Sequence, residues 1–232
     1  MLKRIIGAIA MTVMLVNQSA LAVNFTDINN HWAKDYITLL AEAGVVNGVT
    51  DTQFMPESEV TRAQYLKMIM EATGVSQKPV RAGECLDVVS SDWYGPYLQG
   101  ALDCGLIPKD MVKDYKEDVD YTVDDEGNAT YSKVTYSGEF MGNQPINREE
   151  MAVLTQYMYQ YTRTILTNKA PVNNNTADFA DDDKISDWAK TSVKQAVANG
   201  FMDGMDNNTF NPDGTATRAQ AATVIWRVRN NK

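Results

Sequence analysis

Val60-Thr61-Arg62-Ala63-Gln64-Tyr65-Leu66 returns near the other end of the chain as Ala216-Thr217-Arg218-Ala219-Gln220-Ala221-Ala222. A Thr followed three residues later by Gln is a capping box, two side chains that satisfy each other's backbone N–H groups where a helix begins. Upstream the match continues. Phe54-x-Pro56 and Phe210-x-Pro212 each place Phe 8 positions before the arginine. Gly44-Val45-Val46-Asn47-Gly48 and Gly200-Phe201-Met202-Asp203-Gly204 each begin 10 positions before that Phe. Trp32 and Trp188 stand 12 positions before the first Gly, and Phe25-x-Asp27 and Phe179-x-Asp181 precede them. Three matched spacings in two distant segments identify an internal repeat.

A divergent copy lies between them: Cys85-x-Asp87, Trp93, Gly105-Leu106-Ile107-Pro108-Lys109, Phe140 and Ile146-Asn147-Arg148-Glu149-Glu150. Its Trp–Gly and Phe–Arg spacings are again 12 and 8, but Gly105 to Phe140 is 35, an insert of 25 residues. Two β-prone runs around Glu126-Gly127-Asn128 predict a hairpin at about Asp110–Glu139. Each unit carries two helical patterns. Trp32, Ala33, Tyr36, Ile37, Leu40 and Ala41 share one face of the first, with Asn30, Asp92 and Asp187 as candidate N-caps of the three first helices. One such pair cannot bury its stripe alone, so the expectation is a single, mainly α domain of helix-loop-helix modules. Their expected bounds are 23–76, 83–163 and 177–232.

Met1–Ala22 has the layout of a secretory signal peptide: basic Lys3-Arg4, an apolar run from Ile5 to Val16, and Ala20-Leu21-Ala22. Removing it leaves 210 residues with a charge of 19 − 30 = −11, since the leader holds two bases and no acid. A surface of that sign repels phosphate backbones and argues against nucleic acid as a partner. No later segment reaches the ~20 apolar residues that span a bilayer. With one histidine and two cysteines there is no Cys/His zinc set, and no Asp-rich run fits a calcium loop. No metal, cofactor or catalytic group is expected.

These residues resemble the S-layer homology module, in three tandem copies from about Phe25 to Val228. The resemblance implies a pseudo-threefold helical bundle whose grooves bind secondary cell-wall polysaccharide non-covalently, often through a pyruvylated amino-sugar. It implies a secreted protein held at the cell surface, and no enzyme. Carried over by position, the glycan-binding arginines are Arg62, Arg148 and Arg218, and the groove glycines Gly48 and Gly204. Lys109 stands where the second module should have glycine.

The arginines are also unusual on physical grounds. Each follows an N-cap, facing the positive pole of its helix at a cost of ~0.3–1 kcal/mol. Three such placements suggest an anion held by the guanidinium and by free N–H groups at the helix mouth. Pairing with Asp27, Asp87 and Asp181 is the internal alternative. Trp32, Trp93 and Trp188 suit either the core or a sugar-stacking wall, while Trp226 reads as packing and His31 as a surface or capping residue. Cys85 and Cys104 form either a disulfide within module two or a pair of thiols. The competing function is a structural or assembly protein of the envelope that recruits a protein partner through the module-two insert.

Overall fold

The computed structural model describes residues 24–81, 87–167 and 178–231. The leader, Cys85 and most of the linker before the third unit lie outside the described residues. The chain is mainly α: α1 (Lys34–Glu42), α2 (Arg62–Thr73), α3 (Gly95–Asp103), α4 (Arg148–Tyr161), α5 (Asp187–Ala198) and α6 (Arg218–Asn230). The insert is a hairpin, β1 (Lys113–Val123) antiparallel to β2 (Ala129–Glu139), with a register shift between Asp120 and Tyr121.

All three expected capping boxes form. Thr61, Asn147 and Thr217 each accept from the N–H of the residue three positions on, and Gln64, Glu150 and Gln220 accept the reciprocal bond. The first helices end where Gly44, Gly105 and Gly200 take φ of 72°, 75° and 73°, a conformation that glycine adopts without Cβ strain. The candidate caps of the first helices are corrected. Tight turns intervene, so α1 starts at Lys34, with the Ala33 N–H donating to His31 Nδ1 at 3.1 Å. Asp92 accepts from Val89 N–H instead, and Asp187 is the first residue of its helix, behind Ser186.

Each first helix packs on the second helix of another unit: α3 on α2, α5 on α4 and α1 on α6, while α2, α4 and α6 touch pairwise. The lead-ins to those second helices close a ring. Val60 N–H donates to Ala216 O at 3.0 Å, Ala216 N–H to Ile146 O at 3.1 Å, and Ile146 N–H to Val60 O at 2.9 Å. All three side chains are fully buried. Around them lies one continuous apolar cluster that includes Phe54, Phe140 and Phe210. The hairpin's main contact beyond itself is the short turn Lys109–Met111 at its base.

Candidate functional site

Three structurally matching clamps hold the loops. Asp27 accepts from the N–H groups of Phe54 (3.0 Å) and Met55 (2.7 Å). Asp87 does the same for Phe140 (2.6 Å) and Met141 (2.9 Å), and Asp181 for Phe210 (2.7 Å) and Asn211 (2.8 Å). The second residue of each pair is a non-glycine at positive φ (58°, 52° and 57°), a conformation that needs such fixing. Burial raises the Asp27 pKa, but the Phe54 and Met55 N–H groups and then the Arg218 charge outweigh it and hold the carboxyl below the usual range.

The arginines take the other side of the same peptides, each from a different unit. Arg62 Nε donates to Phe140 O (2.7 Å), Arg148 Nε to Phe210 O (2.8 Å) and Arg218 Nε to Phe54 O (2.9 Å). Each guanidinium also lies over that phenylalanine's ring, at 5.0, 4.8 and 4.5 Å. Aspartate and arginine thus meet across a peptide group, not as direct ion pairs. The free helix-mouth N–H groups expected from sequence are corrected as well. Arg62, Arg148 and Arg218 donate their backbone N–H to Gln144, Gly214 and Ser58 carbonyls at 2.9 Å. The next N–H of each helix is similarly taken by Gly142, Pro212 or Pro56. Repeats docked head to tail fill each other's helix starts.

The three forks differ in what remains. Arg62 is 2% exposed; its Nη1 pairs with Glu150 and its Nη2 donates to Met111 O at 2.6 Å, so every nitrogen is committed. Arg148 and Arg218 use Nη2 on Asp203 O and Asn47 O, both at 2.8 Å, and among the described residues their Nη1 takes no partner. Burial lowers the proton affinity of both guanidinium groups, and nearby Asp203, Asp181 and Asp27 oppose the shift.

Those two forks line two grooves of the same construction. One, of about 260 Å³, joins the Asn47-Gly48 loop, Gln64 and Lys67 of α2, Trp93 and Arg218. The other, of about 180 Å³, joins the Asp203-Gly204 loop, Gln220 and Arg227 of α6, Trp32 and Arg148. Each draws on all three units. Trp32 and Trp93 are 60% and 51% exposed, so neither is core; Trp188 is half-buried against the core, and Trp226 packs beside Tyr36. His31 bonds Glu57 through Nε2 at 2.6 Å and lies against Trp32, a capping and bracing role. The groove-lining Lys67 and Arg227 escaped the sequence reading, and Gln64 and Gln220 were read there as capping residues alone, although Lys67 follows Gln64 by three positions and Arg227 follows Gln220 by seven, spacings that share a helix face.

The glycines are required from beneath. A Cβ on Gly48 would lie 2.5 Å from the Phe25 ring, and one on Gly204 2.5 Å from the Phe179 ring. The middle unit exchanges both members, with Cys85 for Phe and Lys109 for Gly. Lys109 Nζ lies over the Tyr115 ring at 5.3 Å. Cys104 is half-buried and unbridged among the described residues; Cys85, its partner in the disulfide alternative, lies outside them. Among the described residues no cluster of three His, Cys, Asp or Glu is arranged to hold a metal, and no helix is long and apolar enough to cross a membrane.

The S-layer homology domain model matches residues 24–66 and 178–222, the first and third units. The chain is 35% identical to an amylopullulanase of Thermoanaerobacterium thermosulfurigenes over 87% of its own length and 9% of that protein's. It is 34% identical to exoglucanase XynX of Acetivibrio thermocellus, over 88% of its length and 16% of the relative's. An S-layer protein of Bacillus thuringiensis subsp. finitimus is 27% identical over 89% of the chain and 21% of that protein. The chain therefore spans only a small share of these relatives. It belongs to the S-layer homology domain family, a family of the cell surface and cell wall.

Proposed function

We propose that the chain, exported by its leader, anchors non-covalently to the cell wall by capturing an acidic saccharide of a secondary wall polymer, a pyruvylated amino-sugar, in its two open grooves. Modules 23–76, 83–163 and 177–232 act in this reading as a pseudo-threefold bundle in which each groove is completed by its neighbours. The observation that carries it is the pair of half-used guanidinium forks. Arg148 and Arg218 are held rigidly by backbone carbonyls, keep Nη1 for a ligand, and stand in grooves walled by exposed Trp32 and Trp93. A charge-assisted bond to a carboxylate supplies orientation, and an indole face covers the C–H face of a pyranose. Asp27 and Asp181 shape the loops from behind. Gly48 and Gly204 let the loops close over the phenylalanine rings. Arg62, Asp87 and Trp188 serve the seam around the middle unit. The enzymatic reactions of the two relatives are not carried over, because this chain covers so little of either.

The test is titration of purified wall polymer, with and without its pyruvyl groups, into the chain and into the Trp32→Ala, Trp93→Ala double variant. Two sites per chain are expected for the acidic polymer, and neither the stripped polymer nor the double variant should bind. Equal binding of stripped polymer, or full binding by a folded double variant, overturns the reading.

The hairpin supports a second role, recruitment of an envelope protein. It projects from the middle unit with Val119, Tyr121 and Val123 exposed along β1. Deleting 113–139 should leave polymer binding intact while abolishing partner recovery; recovery unchanged by the deletion refutes it.

A further inference from the structure

The two grooves share a plan but not a charge. In the α6 groove Arg227 binds Asp203 at 2.8 Å and donates to Phe201 O at 3.2 Å, so its charge is neutralised within the groove wall. That leaves Arg148 as the one cation of this groove without a direct carboxylate partner among the described residues. The corresponding position on α2, nine residues past the helix-start arginine, is Glu71, which accepts from the Tyr97 hydroxyl at 3.0 Å and is not part of the groove lining. The α2 groove instead places Lys67 five residues past Arg62, where α6 has buried Thr223 and α4 buried Val153. Lys67 Nζ rests over the face of Tyr97, 5.8 Å from its centre, and has no carboxylate partner among the described residues. A ring face steers an ammonium without neutralising it. Arg218 and Lys67 therefore give this groove two positive groups without a direct carboxylate partner among the described residues, with Asp27 behind Arg218 as Asp181 stands behind Arg148 in the other groove.

We infer that Lys67 is a specificity-determining residue: the α2 groove takes a saccharide bearing two negative groups, and the α6 groove takes one bearing a single carboxylate. The inference rests on the anchoring reading above and deepens it. The polymer's second anionic group, a phosphate or another carboxylate, meets Lys67 while Arg218 holds the first. Attraction between close, partly desolvated unit charges is ample for a tenfold preference and weakens as salt screens it.

Two synthetic probes test this by titration calorimetry: a disaccharide with one pyruvyl ketal, and the same disaccharide carrying an added phosphate monoester. Trp32→Ala leaves the α2 groove and Trp93→Ala the α6 groove. The Trp32→Ala chain should bind the phosphorylated probe about tenfold more tightly than the plain one, with a steeper salt dependence. Adding Lys67→Met should erase the preference and Lys67→Arg should retain it, while the Trp93→Ala chain shows none. Binding of both probes without preference, or a preference that survives Lys67→Met, overturns the inference and leaves anchoring intact. A wild-type chain that binds neither probe overturns both.

Discussion

Replacing Arg62 by methionine keeps the apolar stem and removes the fork. The change deletes hydrogen bonds to Phe140 O and Met111 O, the pair with Glu150 and the contact with the Phe140 ring. A hydrogen bond to a charged group contributes ~1.5–3 kcal/mol, and removing one partner of a buried pair costs ~3–5 kcal/mol. These terms share one side chain, and Glu150 retains 18% side-chain exposure through which water can reach it. The expected loss is therefore ~3–5 kcal/mol, a large part of the ~5–15 kcal/mol that stabilises a domain. Urea unfolding should show a lower midpoint at unchanged slope. Glu150→Gln, which keeps a capping oxygen for Asn147 N–H, should restore ~1–2 kcal/mol in the double variant by removing the orphaned charge. Polymer stoichiometry per folded chain should stay at two. A loss below ~1 kcal/mol, or lost polymer binding in a chain that remains folded, refutes the assignment of Arg62 to the seam.

Asp181→Asn should cost ~2–4 kcal/mol by weakening two charge-assisted bonds at a buried site, with Phe210 and Asn211 amides exchanging faster with deuterium. Gly204→Ala drives a methyl into the Phe179 ring and should lower the melting temperature while reducing binding in the α6 groove alone. Acid lowers stability with a defined sign. The Lys194 ammonium holds the Asp182 carboxyl below its ordinary value, and Asp27 is lowered by backbone N–H groups that outweigh burial. Their contribution is present above the unfolded value near ~3.9 and lost as pH falls through the lower folded values, so the melting temperature should drop in that acid range. Asp182→Asn and Asp27→Asn should flatten the drop. Removing the outer hairpin residues 118–135, which leaves Tyr115 packed on the core, and joining the ends with a short turn should change stability by less than ~1 kcal/mol, because the outer ribbon packs chiefly on itself.

Much of this was legible in the repeat. Capping boxes, helix-ending glycines and the hairpin are local, and their signals are local too. The arginines' partners were not, because Arg62 and Phe140 lie 78 positions apart and Arg218 and Phe54 164. Spacing alone does not say which copy a side chain reaches. The same gap explains the helix mouths, open in any isolated unit and filled once three are docked. Trp32 and Trp93 looked apolar in one dimension, yet the turns before α1 and α3 swing them to the rim.

The three-way bond among Val60, Ile146 and Ala216 sets a condition on synthesis. Two of its three links involve Ala216, which follows both of its partners in the chain, just ahead of α6. A nascent or truncated chain lacking that segment has one link of three, an open Phe54 carbonyl and no surface for α1 to rest on. The ring consequently closes only once the third unit has been made.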